Sequence, residues 1–131
     1  MTEKTASQRG KTARRKGQRG EIELFKLLSD HLGTVVTRNL TQTRDAGCDS
    51  MSVPGFAIEC KRVESNFQNA WMTQAIAATH EGHEIPVVFY RQSRYPWRAA
   101  FRVSDILACP AYTGLLHMEL DDACLFLRER L

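Results

Sequence analysis

Four residues near the middle of the chain have the types and spacing for chemistry on a phosphodiester: Asp49, then Glu59-Cys60-Lys61. Phe56 to Arg62 alternates in polarity, so on a strand Phe56, Ile58 and Cys60 share one face, and Glu59 and Lys61 share the other. A carboxylate and an ammonium two residues apart can contact one water molecule. Hard divalent cations take oxygen ligands, often one or two protein carboxylates plus a substrate phosphate. Asp49 and Glu59 offer those oxygens, and the backbone carbonyl of Cys60 offers a third. Such a metal, Mg2+ with Mn2+ as a substitute, would polarise a phosphate and acidify a bound water. Lys61 would orient that water or offset charge building on the phosphate. The same residues also fit an ordinary ion pair on a surface hairpin.

The register separates these possibilities. Asp49 to Val53 reads as a short strand, and Pro54-Gly55 as a turn before the next one. A strict two-residue turn pairs Val53 with Phe56, and therefore Asp49 with Cys60. Directly paired residues point to one face, which would turn Asp49 away from Glu59 and Lys61. An odd loop or a bulge shifts the pairing by one and reverses this. The chemistry therefore requires broken pairing around Pro54-Gly55 or at Cys48 to Ser50.

The remaining elements must position this hairpin. Gly20 to His31 reads as a helix, with Ile22, Phe25, Leu28 and Leu32 on one face and Gly33 as its stop. Glu21 lies near its start, where a negative charge is also favourable without any further role. The β-branched Thr34 to Arg38 reads as a strand, and Asn39 to Cys48 as a polar loop. Asn66 to His80 reads as a helix carrying Phe67, Trp71, Ala75 and Ala78 on one face, with Gln74 beside them. Ile85 to Tyr90 and Arg98 to Val103 read as neighbouring strands, Leu115 to Leu120 as a strand, and Asp122 to Arg130 as a terminal helix. His80 and His83 bracket Gly82, which fits a helix end rather than a zinc-binding helix.

At 131 residues the chain is expected to form one domain with a real core. No run approaches transmembrane length, and the N-terminus is too basic and polar for a secretory signal. The four cysteines have no zinc-like spacing, so reduced thiols and a cytoplasmic setting (the host cytoplasm if phage-encoded) are expected. Residues 1 to 20 carry seven Lys or Arg against one Glu, a net of +6; the rest carry eleven against fourteen, a net of −3. Residues 1–15 are expected as a basic flexible arm ahead of a single domain over 16–131. Lys11, Arg14, Arg15, Lys16 and Arg19, with Arg44 and Arg62, are the candidate DNA-backbone contacts, and such contacts are salt-dependent. A second cluster, Arg91, Arg94, Arg98 and Arg102, has Tyr90, Tyr95 and Trp97 interleaved; it suits either a nucleic-acid surface or a solvated strand edge.

Asp49, a turn, and Glu59-Cys60-Lys61 together resemble the PD-(D/E)xK nuclease signature. Lys16-Gly17-Gln18-Arg19-Gly20-Glu21 is similar to the Lys-Gly-x-x-x-Glu helix start of archaeal and phage Holliday junction resolvases in that superfamily. The likeness runs from about Lys16 to Gln74, and departs where Cys48 replaces the usual proline before the aspartate. It implies a mixed α/β, restriction-endonuclease-like core, with a central sheet flanked by helices. It implies Asp49 and Glu59 as metal ligands, Lys61 as the catalytic lysine, Glu21 as a helical carboxylate completing the site, and Gln74 as a partner near the lysine. Asp45 and Glu23 are rival carboxylates. The implied activity is Mg-dependent cleavage of DNA, four-way junctions first, by a homodimer with no membrane partner. A restriction-like, repair or single-strand nuclease and a non-catalytic DNA-binding protein are the alternatives. Two clustered carboxylates that repel phosphate argue against the last.

Overall fold

The computed structural model describes residues 6–38, 49–50, 52–80 and 83–131, the first twelve of these by backbone only. The elements are α1 (Ala6–Leu32), β1 (Phe56–Val63), α2 (Asn69–Ala77), β2 (Ile85–Gln92), β3 (Arg98–Arg102), α3 (Val103–Leu107), β4 (Leu115–Glu119) and α4 (Leu120–Glu129). The strands form one mixed sheet in the order β1-β2-β3-β4. β1 and β2 are parallel, with α2 as their crossover; β3 and β4 continue the sheet antiparallel. This is the mixed α/β sheet with flanking helices that the sequence implies.

Each sheet face is covered for a reason written in the chain. Leu24, Phe25 and Leu28 recur at helical spacing on α1 and bury against Phe56, Ile58, Val87, Phe89 and Phe101. Ala123, Cys124 and Leu127 of α4 join that core. Trp71, Met72 and Ala75 of α2 cover the opposite face over Val88, Tyr90 and Ala100. Each fully buried large side chain contributes about 1.5–3 kcal/mol. Because both faces are covered, Phe56 through Cys60 are all buried, and the alternation within β1 separates two buried faces rather than core from solvent.

Several boundaries differ from the sequence reading. α1 begins at Ala6 rather than Gly20, so residues 6–15, expected as a flexible arm, carry helical backbone. It ends at Gly33 as expected, with φ +69°. Thr34 to Arg38 forms no strand. Its backbone is held by hydroxyls instead: Ser29 Oγ accepts from Val36 N at 2.9 Å, Ser52 Oγ accepts from Thr37 N at 2.9 Å, and Ser50 Oγ donates to Thr37 O at 2.6 Å. Serine side chains thus satisfy backbone groups that a ladder would otherwise pair. Likewise Asp49, Ser50, Ser52 and Val53 lie in no strand; Ser50 contributes one isolated bridge. α2 is shorter than Asn66 to His80, and α3 is additional. Among the described residues no helix is long and apolar enough to cross a membrane. Cys60, Cys109 and Cys124 are free thiols.

Candidate active site

The turn at Pro54-Gly55 is closed by Phe56 N donating to Val53 O at 3.1 Å, with Gly55 at φ +85°. The next pairing is Ser50 with Ile58, which exchange both backbone bonds at 3.1 Å. From Phe56 to Ile58 is two steps; from Val53 to Ser50 is three. One residue is therefore extra on the first limb, and the register shifts by one. Asp49 then lies opposite Glu59, not Cys60. The broken pairing that the chemistry requires is present.

The shift also gives Asp49 a bond. Its Oδ2 accepts from Cys60 N at 2.6 Å, capping the outer edge of β1 beyond Ser50. Ile58 directs both backbone groups to that edge, and Cys60, two residues on, directs its N–H the same way. The Cys60 carbonyl therefore faces the same edge beside Asp49.

Three carboxyls meet here. Glu59 is almost fully buried, at 1 % exposure. Its carboxyl is pushed up to about 8, first by burial and then by the charge of Asp49, against the lowering effect of Lys61; Glu59 and Asp49 are also hydrogen-bonded. Glu21 is raised as well, by partial burial and by Asp49, to which it too is hydrogen-bonded; Arg38 and Lys61 oppose the shift. Carboxyls that share hydrogen bonds must share protons, because like charges this close cannot all ionise. Burial and the three carboxylates also hold the Cys60 thiol well above its usual range.

On the same face Lys61 Nζ donates to Gln74 Oε1 of α2 at 3.0 Å. The crossover helix thus fixes the ammonium beside the carboxylates. α1 brings Glu21 in from the other face, and Gly20 is what permits it. A Cβ at Gly20 would lie 2.8 Å from Arg62 Cβ, so only glycine lets the helix approach β1 this closely.

The residues present fit a divalent cation. Glu59 Oε1 is buried with no hydrogen-bond partner, an arrangement that costs about 1–3 kcal/mol unless something satisfies it. Three carboxyls face the two cations Lys61 and Arg38, so a divalent ion would let all three ionise. Among the described residues no three acidic, His or Cys side chains form a complete metal-binding group. Two carboxylates and a backbone carbonyl could serve as oxygen donors, a set that leaves room for substrate oxygens.

Other predicted residues lie elsewhere. Glu23 is not at the site: its Oε1 accepts from Trp97 Nε1 at 2.7 Å and from Arg91 Nη1. Arg98 pairs with Glu119 and Arg102 with Asp105, while Tyr90 and Trp97 are buried, so most of the second basic cluster is internal bracing. Arg19 is exposed, and Arg62 is half-buried against Gly20. Lys11, Arg14, Arg15 and Lys16 lie on α1 with only their backbone described, and Arg44 and Asp45 fall outside the described residues. Sequence reasoning missed Arg38, whose Nε lies 3.4 Å from Glu21 Oε2. Its one signal was a cation at the end of a β-branched run, just before the loop to Asp49.

A mixed sheet that gathers Asp49, Glu59 and Lys61 at its edge, with a glutamine from the crossover helix on the lysine, defines a PD-(D/E)xK nuclease of restriction-endonuclease-like fold. The chain belongs to the family described as "Phage putative PDDEXK endonuclease", whose model matches residues 12–117. No curated protein matches it. The family is one of nucleases, which act on DNA and generally use divalent metals.

Proposed function

We propose that this protein is a magnesium-dependent, structure-selective endodeoxyribonuclease, a Holliday junction resolvase that makes paired cuts in four-way DNA junctions. The observation that carries the chemistry is the one-residue register shift that puts Asp49 opposite Glu59, with Lys61 held by Gln74 on the same face. Asp49, Glu59 and the Cys60 carbonyl would hold the ion, which supplies Lewis-acid polarisation of the scissile phosphate and acidification of a water. Glu59 would hold such an ion in its ionised form. Lys61 donates to the attacking water or to a non-bridging phosphate oxygen, and Gln74 keeps that donor aimed. Glu21 accepts a proton from the water as the water oxygen bonds to phosphorus. The bond from phosphorus to the 3′ oxygen breaks, and that oxygen takes up a proton from bulk water, leaving a 5′-phosphate and a 3′-hydroxyl.

Junction preference rests on the likeness of Lys16 to Glu21, here inside α1, to the resolvase Lys-Gly-x-x-x-Glu motif, and on the basic N-terminal segment, whose Lys11, Arg14, Arg15, Lys16 and Arg19 supply backbone affinity together with Arg44 and Arg62. In this reading residues 16–131 are the nuclease unit and residues 1–15 a DNA-binding extension. Two cuts from one site per chain imply a two-fold homodimer, matching the symmetry of a junction. The test is cleavage of four-way, forked, single-stranded and linear DNA with Mg2+, with sedimentation to give the assembly. Preferential paired nicking of the four-way substrate by a dimer is expected. Equal cutting of linear duplex would move the protein to a restriction-like or repair role, and no cutting of any substrate would refute the nuclease reading.

A further inference from the structure

The turn between β2 and β3 is left over from the site. Of the four arginines around it, Arg91, Arg98 and Arg102 are paired with Glu23, Glu119 and Asp105. Arg94 stands exposed at the turn itself. Tyr95 N donates to Gln92 O at 3.0 Å, which makes Arg94 the third residue of a four-residue turn, and its φ is +72°. A positive φ at that position favours glycine, and an arginine there is strained. Beside it Tyr95 is 62 % exposed, whereas Tyr90 and Trp97 are 6 % and 5 % exposed.

The turn is also rigidly held. Arg91 Nε donates to Tyr95 O at 2.9 Å, and Ser93 Oγ donates to Glu64 Oε1 at 2.8 Å. Gln92 Nε2 donates to Ser65 O and to Asn66 Oδ1, both at 2.9 Å. Trp97, just behind, is anchored on Glu23 of α1. An exposed cation and an exposed aromatic ring are thus presented in a fixed geometry, at a position where the backbone favours another residue.

Their location points to the partner. β1 and β2 are parallel and Lys61 pairs with Tyr90, so the turn leaves the same end of the sheet to which β1 carries Lys61 and Arg62. Gly20 packs on Arg62, which brings exposed Arg19 to that end as well. Arg94 lies in the turn that directly follows β2, past the pairing of Lys61 with Tyr90.

We infer that this turn is a DNA-contacting element, with Arg94 on a backbone phosphate to one side of the cut and Tyr95 stacked on an unpaired base at a branch. It rests on the nuclease reading above and adds to it the part that senses the branch. Phosphate recognition accounts for a cation kept where glycine is easier, and stacking accounts for an aromatic ring held out in solvent.

The test uses Arg94→Gly and Tyr95→Ala in the full chain, with labelled four-way, forked and linear DNA of equal length and Ca2+ in place of Mg2+. Arg94→Gly removes the strain with the charge, so it is expected to melt no lower than the parent. It should nonetheless bind all three DNAs more weakly, with a log–log salt slope reduced by about 0.9. Tyr95→Ala is expected to lose about tenfold in affinity for the junction and the fork, and little for the linear duplex. Variants that bind all three DNAs like the parent overturn the proposal, and an equal Tyr95→Ala loss on linear duplex overturns the stacking role. If the parent cuts DNA and the variants match it, only this inference fails; if the parent neither binds nor cuts any of them, the nuclease reading fails and takes this one with it.

Discussion

Glu59 is the residue on which the chemistry of the site turns. It is buried, one of its oxygens lacks a hydrogen bond, and its carboxyl sits near 8 rather than at its ordinary 4.5. The linkage follows directly. A carboxyl raised in the folded state contributes its stability fully below about pH 4.5, and that contribution is lost as pH rises toward 8. Without metal, stability should therefore fall across this window, by at most about 1.4 kcal/mol per pH unit. Glu59→Gln should flatten the decline, because an amide does not ionise. Adding Mg2+ should reverse the trend: ion binding displaces the proton, so the increase in melting temperature should be larger at pH 8.5 than at pH 6. Thermal melts of both proteins from pH 5 to 9, with and without Mg2+, test this; identical pH profiles for the two would show that Glu59 is not the titrating group. In cleavage, Lys61→Ala should cost about 10²–10³-fold in rate, since it removes a positioned charge at the phosphate. Gln74→Ala, which only releases that ammonium from its partner, should cost about 10–100-fold, a value typical of residues that orient a reacting group. Single-turnover rates at saturating enzyme separate these losses from changes in binding.

At the scale of elements, what was legible and what was not divide along physical lines. Strands with alternating or continuous apolar runs, β1 through β4, lie where their patterns put them, because burial on a sheet imposes a period that local sequence carries. Glu59 and Lys61 were legible for the same reason, as two positions on one strand face; Gln74 was expected near the lysine from the family resemblance, and it is bonded to it here. The 34–38 stretch misled because β-branching signals extended backbone but not the partner. Here the partners are the hydroxyls of Ser29, Ser50 and Ser52, which no periodicity reveals. Gly20 was read as a helix start, yet it lies inside a helix that begins fourteen residues earlier. Its function is contact: its Cα faces Arg62 with no space for a methyl group. Gly20→Ala would ordinarily favour a helix by about 1 kcal/mol. Here the added Cβ meets the Arg62 Cβ and must push α1 off β1, so a net destabilisation of about 1–3 kcal/mol is expected instead. Because Glu21 moves with the helix, kcat should fall more than DNA affinity does. A Gly20→Ala protein that melts higher than the parent and cuts normally would refute the close-packing role.

At the scale of the whole molecule, charge is divided between two functions. Residues 1 to 20 carry +6, and the remainder −3, with three of the carboxyls gathered at a site that must receive a polyanion. Such a site cannot attract DNA by itself. In the proposed reading the attraction comes from the basic segment, whose residues 6–19 lie on the same continuous helix that carries Glu21. At 1.5 Å per residue, those fourteen residues span roughly 21 Å ahead of Gly20, enough to lie across several phosphates of a duplex. Affinity and catalysis should then be separable. The core residues of α1, Leu24, Phe25 and Leu28, all follow Gly20, so deleting residues 1–15 should leave the melting temperature within a few degrees of the full chain. It removes five Lys or Arg side chains: Lys4, Arg9, Lys11, Arg14 and Arg15. Each that neutralises a phosphate contributes about 0.9 to the slope of log affinity against log salt, so the slope should drop by as much as about 4.5. Binding titrations from 50 to 200 mM salt measure this, while the rate at saturating enzyme should stay close to that of the full chain. An unchanged slope would mean that this segment does not touch DNA, and that the cations drawing DNA to the carboxylates lie in the rest of the chain.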